Sequence, residues 1–229
     1  MFFLSTPFHR IVPLSLLFFF ALLSIPGCAG PGVYHTVNKG ETLWRISKTY
    51  GVELQEVAEI NNIKDPTDIK AGAKIFIPGV AKVRKVKPYS PPASGGKEEA
   101  GRIVVEKGRF IWPVKGVVIS HFGMRNGVRH GGMDIKAEEG APVFAADSGE
   151  VVFVDSNMRG YGRIIILRHA DDYYSVYAHN RENLVSHGER VEKGARIATV
   201  GRSGNASTPH LHFEIRQGKT VRNPLFFLP

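Results

Sequence analysis

His210 and His212 stand two residues apart within Pro209-His210-Leu211-His212-Phe213-Glu214-Ile215, an apolar alternating run that predicts a β-strand. Side chains alternate faces along a strand, so both imidazoles point one way while Leu211 and Phe213 take the other. Two imidazoles side by side on a rigid strand suit one metal ligand with an acid/base or electrophilic group beside it. Taken alone, the pair is also what a solvated strand face carries. Its company sharpens the reading. His130-Gly131-Gly132-Met133-Asp134 and Tyr177-Ala178-His179 supply a carboxylate and two further imidazoles. Three N/O ligands, an open position for water and neighbouring groups to assist are what a catalytic zinc requires.

His130 and Asp134 are four apart. On a straight strand their Cα atoms would lie roughly 13 Å apart, near the outer limit for sharing a metal. Gly131 and Gly132 supply the bend, since glycine reaches conformations closed to other residues. They also argue against a helix, so a short loop feeding a strand at Met133-Asp134-Ile135 is expected. The ordinary alternatives are a turn-capping carboxylate for Asp134 and an exposed loop position for His130. His179 ends the strand Ser175-Val176-Tyr177-Ala178-His179, which places it on one face with Tyr177; a half-buried strand histidine is the ordinary alternative. His35 belongs to an N-terminal unit and His9 to an apolar leader. His121 and His187 read as loop residues, and His169 precedes a hairpin turn at Ala170-Asp171-Asp172.

These residues need a scaffold. A chain of 229 residues, 43% apolar, accommodates one ordinary domain and a small one. Its formal charge is +9, from 30 basic against 21 acidic side chains. No nucleic-acid motif or aromatic-interleaved basic stripe accompanies that charge, so an anionic wall or membrane is the expected partner and nucleic acid is not. The single cysteine, Cys28, excludes an internal disulfide. It follows a weakly basic start (His9, Arg10), an apolar run from Ile11 to Ile25, and Pro26-Gly27. That run is too short for a comfortable membrane span, which needs about 20 residues, and it forms an export signal.

Past the leader, Val33–Val37 predicts a short strand. Leu43, Ile46, Ser47 and Tyr50 follow helical spacing, with Thr42 or Glu41 as N-cap and Gly51 as the left-handed stop. A second short helix carries Leu54, Val57 and Ala58 up to Asn61-Asn62, and Ile75-Phe76-Ile77 is a strand closed by Pro78. Residues 80–109, rich in Lys, Pro, Gly and Ser, read as a semi-extended linker. From Phe110 the pattern is β: Gly116–Ser120, Gly149–Val154, Arg163–Leu167, Tyr173–Tyr177, Arg196–Val200 and Leu211–Ile215, with no long amphipathic helix. The fold class is therefore mainly β, an antiparallel sheet or roll preceded by a small βααβ unit.

Three stretches carry resemblances. Cys28 after its leader resembles a bacterial lipoprotein signal, with Cys28 as the lipid-modified first residue and Ala29 resembling the outer-membrane sorting pattern. An ordinary cleaved signal with an incidental cysteine is the alternative. His35-Thr36-Val37-x-x-Gly40-Glu41-Thr42-Leu43-Trp44-x-Ile46-Ser47, Ile60-Asn61-Asn62 and Ile69-x-x-Gly72-x-x-Ile75-x-Ile77-Pro78 resemble a LysM domain. That implies N-acetylglucosamine binding between Gly40-Glu41-Thr42-Leu43 and the segment opening with Asn62-Ile63; Trp44 serves equally as core packing. Trp112-Pro113-Val114-x-Gly116, Phe122-Gly123-x-Arg125, His130-x-Gly132-x-Asp134-Ile135, Gly160-Tyr161-Gly162, Tyr177-Ala178-His179, Val191-x-Lys193-Gly194 and Pro209-His210-Leu211-His212-Phe213-Glu214 resemble the lysostaphin/LytM-type zinc endopeptidase domain. Asn180 stands where Leu is more usual, and Ala206-Ser207-Thr208 replaces the usual turn before Pro209.

By that resemblance His130, Asp134 and His212 hold one zinc ion, and His179 and His210 are the adjacent catalytic histidines. The implied layout is a leader at 1–27, a lipid-anchored tether at 28–33, LysM at 34–79, the linker at 80–109 and the peptidase domain at 110–229. The implied activity is hydrolysis of peptide bonds in peptidoglycan, by a protein held by lipid and glycan at the outer membrane and facing the periplasm. The same domain order is similar to that of division-associated murein hydrolase activator lipoproteins, which implies a non-catalytic alternative acting on an N-acetylmuramoyl-L-alanine amidase. Those activators typically lack zinc ligands, whereas all five site residues are present here. A structural anchor between membrane and wall is a third reading.

Overall fold

A computed structural model describes residues 32–90 and 101–229. Cys28 and the apolar leader lie outside the described residues. Among the described residues, no helix is long and apolar enough to cross a membrane.

The N-terminal unit has the order strand, helix, helix, strand. β1 (Gly32–Thr36) pairs antiparallel with β2 (Lys74–Pro78), and α1 (Leu43–Tyr50) and α2 (Leu54–Ile60) come between them. Thr42 begins α1, its hydroxyl accepting from the Arg45 amide at 3.2 Å, and Gly51 ends it with φ 68°. Leu43, Ile46, Ser47 and Tyr50 are the buried stripe that their spacing demands. Asn61 ties α2 to β2 by donating to the Phe76 carbonyl and accepting from the Phe76 amide, both at 2.8 Å.

The C-terminal unit is a ten-stranded antiparallel sheet. Its main path runs β11 (Arg190–Val191), β8 (Gly149–Met158), β9 (Gly162–Arg168), β10 (Tyr173–Asn183), β13 (His210–Gln217), β6 (Met133–Lys136) and β3 (Val117–Ser120). β12 (Arg196–Val200) joins β10 to β7 (Pro142–Phe144), and β14 (Thr220–Arg222) pairs with β13. A separate hairpin joins β4 (Gly123–Arg125) to β5 (Val128–His130). The mainly β class and the leading βααβ unit stand. Strands of two or three residues such as β4, β5, β7, β11 and β14 are too short for alternation to register, and the sequence reading lacks them.

β13 divides the unit into two faces. Leu211, Phe213 and Ile215 enter the main core with Ile165, Leu167, Tyr177 and Phe227, each fully buried apolar side chain contributing about 1.5–3 kcal/mol. His210, His212 and Glu214 lie on the other face. One hydrophobic cluster runs through both units, and Val86 and Ile103, on either side of residues 91–100, are buried in it. The two ends of the expected linker are thus packed.

Two local expectations need correction. Tyr177 and His179 do not share a face. The pairing of β10 with β9 slips between Tyr177 and Asn180, and His179 adopts φ 63°. This bulge inverts the alternation: Tyr177 stays in the core against Phe213, while the His179 ring turns toward His210 and His212. Gly131 and Gly132 do not use the left-handed region either. Glycine is needed at 132 because a Cβ there would lie 2.5 Å from the Phe213 carbonyl oxygen and 2.9 Å from His212 Cε1.

Tyr177 also anchors a buried polar chain. Its hydroxyl accepts from the Ala146 amide and pairs with Ser175 Oγ, both at 2.8 Å, and Ser175 meets His169 Nε2 at 2.7 Å. Tyr177→Phe leaves the Ala146 N–H buried without a partner. The expected result is a loss of about 1–3 kcal/mol, read as a lower urea midpoint at unchanged m-value.

Candidate metal centre

β13 and β6 pair with His212 directly opposite Asp134, a spacing that brings Cβ atoms to about 5 Å. His130 ends β5 and reaches the same point across Gly131-Gly132. The three side chains are buried and their donor atoms face one another. His130 Nε2 lies 3.3 Å from His212 Nδ1 and 3.2 Å from Asp134 Oδ1, and His212 Nδ1 lies 2.8 Å from Asp134 Oδ1. Tetrahedral zinc with ligands at about 2.0–2.1 Å separates them by roughly 3.3 Å. Two imidazole nitrogens and a carboxylate oxygen in this triangle fit that ion in both chemistry and size.

The outer nitrogens explain why the inner ones are available. His130 Nδ1 is 2.9 Å from the His121 carbonyl, which can only accept, so Nδ1 carries the proton. By the same reasoning His179 Nδ1 donates to the Ser203 carbonyl at 2.8 Å and His210 Nδ1 to the Thr208 carbonyl at 2.7 Å. His212 is reversed: its Nε2 donates to Glu214 Oε1 at 3.1 Å and leaves Nδ1 facing the site. Outer acceptors of this kind fix tautomer and ring orientation around metals.

Glu214 is held in turn. Tyr161 donates to Oε1 at 3.0 Å, and the Arg216 guanidinium donates to Oε2 at 2.7 Å. Burial favours the protonated acid, but Arg216 and His212 outweigh it and set the pKa at about 2. Burial opposes ionisation of Asp134 as well; the hydrogen bonds from His130 and His212 prevail and hold it far below the usual carboxylate range. Burial also lowers the pKa of His212, yet its bonds to Asp134 and Glu214 raise it to about 9. His179 goes the other way, down to about 4, through burial and then the neighbouring His212. Its ring is therefore neutral near pH 7.

The cleft over these groups, about 450 Å³, is lined by all five histidine and aspartate residues and also by Arg125, Arg129 and Tyr161. Arg125 Nη1 donates to Ser120 Oγ at 3.1 Å and lies 3.5 Å from Asp134 Oδ2. The structure thus brings together every residue expected at the metal and beside it.

The LysM-type unit is less uniform. Leu43 is fully buried and the Glu41 carboxylate is taken up by His35 (2.8 Å) and the Asn38 amide (2.8 Å), so neither side chain is presented to a ligand. Gly40 lies under Pro88 and accepts from the Tyr89 amide at 2.6 Å. Asn62 is exposed in a left-handed conformation, and Thr42 and Ile63 are half-buried. Trp44 packs beneath the chain at Gly101 beside Leu54.

Residues 128–224 match the profile of Peptidase family M23, and residues 35–78 match that of the LysM domain. The chain is 36% identical over 225 residues to the uncharacterized lipoprotein YgeR of Escherichia coli (strain K12), covering 90% of this chain and 89% of that one. It is 30% identical over 269 residues to the murein hydrolase activator NlpD of the same organism, covering 90% of this chain and 70% of that one. The chain belongs to this LysM and M23 lipoprotein family. A solved structure that it resembles is a zinc-containing peptidase from Vibrio cholerae, with TM-score 0.49 and 30% identity over 51% of this chain and 39% of that one.

Within this M23 domain Glu214, Tyr161, Arg216 and Ser203 have no role that the sequence alone assigns. A glutamate and an arginine alternating with histidines on a strand read as a solvated face, and a backbone carbonyl leaves no mark in a sequence at all. Asn180, the unusual residue after His179, is fully buried and donates to the Tyr177 carbonyl at 3.1 Å and to Asn183 Oδ1 at 2.9 Å. It braces the bulge that aims His179.

The raised His212 pKa gives a signed prediction. In metal-free protein its contribution to stability is complete below the unfolded value of 6.5 and is lost as pH rises through about 9. At pH 7.5 the ring is protonated, so zinc binding is expected to expel a proton. Calorimetry in buffers of different ionisation enthalpy measures it, and a buffer-independent heat contradicts it.

Proposed function

We propose that the protein is a zinc-dependent endopeptidase of peptidoglycan, anchored through lipidated Cys28 in the outer membrane and facing the periplasm. The observation that carries this reading is the convergence of His130 Nε2, His212 Nδ1 and Asp134 Oδ1, with both outer ring nitrogens tied to acceptors. A module that only binds has no chemical need for that arrangement or for two further histidines beside it. Residues 34–79 serve as the glycan-binding domain and residues 110–229 as the peptidase domain.

In this mechanism His130, Asp134 and His212 hold the metal. Bound there, zinc supplies a Lewis acid that polarises the scissile carbonyl and lowers the pKa of water toward about 7. The chain's own groups do the rest. His179, neutral at pH 7 and locked by Ser203, accepts a proton at Nε2. His210, locked by Thr208, presents Nε2 from the neighbouring strand, with its ring centroid 4.8 Å from that of His179. One of the pair takes the proton and the other, when protonated, stabilises the developing oxyanion or returns a proton to the leaving amine. Glu214 keeps His212 oriented through this cycle, and Arg125 neutralises part of the charge on Asp134.

The name of the relative NlpD, a murein hydrolase activator, favours a second reading in which the cleft engages an N-acetylmuramoyl-L-alanine amidase. One side-by-side assay separates the two. Purified protein from residue 29 onward is expected to bind about one zinc and to digest peptidoglycan alone; His212→Ala abolishes both. His179→Ala and His210→Ala retain zinc and lose about a hundredfold or more in rate. Digestion only when an amidase is added, equally with wild type and His212→Ala, establishes the activator instead.

A further inference from the structure

The contact between the LysM domain and the M23 domain is built around a buried carboxylate. Glu59, near the end of α2, is 3% exposed. Its Oε1 accepts from Arg222 Nε at 2.8 Å and Nη2 at 2.7 Å, and its Oε2 accepts from the Asn223 amide at 3.0 Å. Asn223 Nδ2 donates to the Glu59 carbonyl at 2.9 Å. One turn earlier, the Gln55 side-chain amide donates to the Val104 carbonyl at 3.0 Å and accepts from the Val104 amide at 2.8 Å. Gly123, at the start of β4, approaches the Ile60 carbonyl so closely that a Cβ would lie 2.6 Å from its oxygen. A buried ion pair with all its hydrogen bonds made fixes geometry, because breaking it strands a charge.

This seam joins two binding surfaces. On one side, Asn62 opens the segment expected to form half of the glycan groove, and its Oδ1 lies 3.4 Å from Asn223 Nδ2. On the other, Val221, two residues before Asn223, lines the metal cleft. Arg129, which also lines the cleft, lies 3.7 Å from Glu56 of α2. α2 therefore contacts two elements that flank the cleft: β14 through Arg222, and the hairpin that carries His130 through Gly123 and Arg129.

We propose that the two domains present one continuous surface, and that its ligand is a peptidoglycan fragment in which the stem peptide is still joined to its glycan. The sugar lies on the LysM side of the Asn62–Asn223 seam and the peptide crosses into the metal cleft. This rests on the glycan-binding and peptide-binding reading given above. Two subsites on one rigid body add their binding energies with no linker freedom left to lose, whereas separately tethered domains pay that ordering cost on each encounter.

The test is a set of affinities measured on chelator-treated protein from residue 29 onward, which removes metal-dependent turnover. The probes are a murein tetrasaccharide bearing its stem peptides, the same tetrasaccharide stripped of peptide, and the free stem peptide. The intact fragment is expected to bind about tenfold or more tightly than the better of its two parts. Glu59→Ala and Asn223→Ala, the second of which keeps the Glu59–Arg222 pair, are expected to erase that advantage while each part binds as to wild type. Unchanged binding of the separate parts also reports that both domains remain folded. An intact fragment that binds no better than its stronger part overturns the proposal, and so does an advantage that survives both substitutions. The hydrolase reading stands or falls separately, on zinc-dependent digestion, since these affinities are read without turnover.

Discussion

His212 and Asp134 sit in direct register across β13 and β6, and the site's geometry follows from that pairing. A sheet ladder holds backbone positions to a fraction of an ångström, so a cross-strand pair is as rigid a support for two ligands as a protein offers. The alternation that sends Leu211, Phe213 and Ile215 into the core sends His210, His212 and Glu214 to the opposite face. Core packing and site geometry are therefore one constraint. A slip of one residue in β13 would bury the histidines and expose the apolar face.

Ligand direction is a second matter, governed by partners on the far side of each ring. Three rings give their Nδ1 proton to backbone carbonyls, and His212 gives its Nε2 proton to a carboxylate. The difference is structural. His212 lies between β10 and β6 in the middle of the sheet, where neighbouring carbonyls belong to the ladder and a side chain must serve as acceptor. Glu214, two residues along the same strand and face, is the available group; Arg216 and His212 keep it ionised, and Tyr161 with Arg216 holds it in place. An aromatic hydroxyl and a guanidinium thus bear on the orientation of His212 through Glu214.

Much of this is legible in the sequence. The alternating run at 209–215, the spacing of the N-terminal helices and the turn residues at 170–172 are local signals, and each element forms where its local chemistry places it. What escaped the sequence was nonlocal or conformational. The hairpin carrying His130 has strands of three residues, below the length at which a period can be seen. The bulge at His179 depends on a left-handed residue that is not glycine, held by Asn180 within the strand and by the Ser203 carbonyl from outside it. Gly132 reads in the sequence as a bend, whereas its necessity comes from the Phe213 carbonyl on another strand. The LysM residues divide the same way: the motif located the loop, while the inward turn of Glu41 and Leu43 required the fold.

Glu59 carries that limit furthest. On α2 it reads as an ordinary surface glutamate of a short amphipathic helix, and a domain boundary drawn from composition leaves it facing solvent. Its partners across the interface, Arg222 and Asn223, lie 163 and 164 positions further along the chain. A carboxylate at 3% exposure is tolerable because both of its oxygens accept hydrogen bonds, Oε1 from Arg222 and Oε2 from the Asn223 amide. The same pairing makes the interface specific, since an apolar patch would hold the domains in several orientations and this fork of donors holds them in one. Arg222 also lies opposite Ile215 on β13, so the strand that carries His212 and Glu214 is braced from the LysM side. The small domain thus supports, from outside, a strand that lines the cleft.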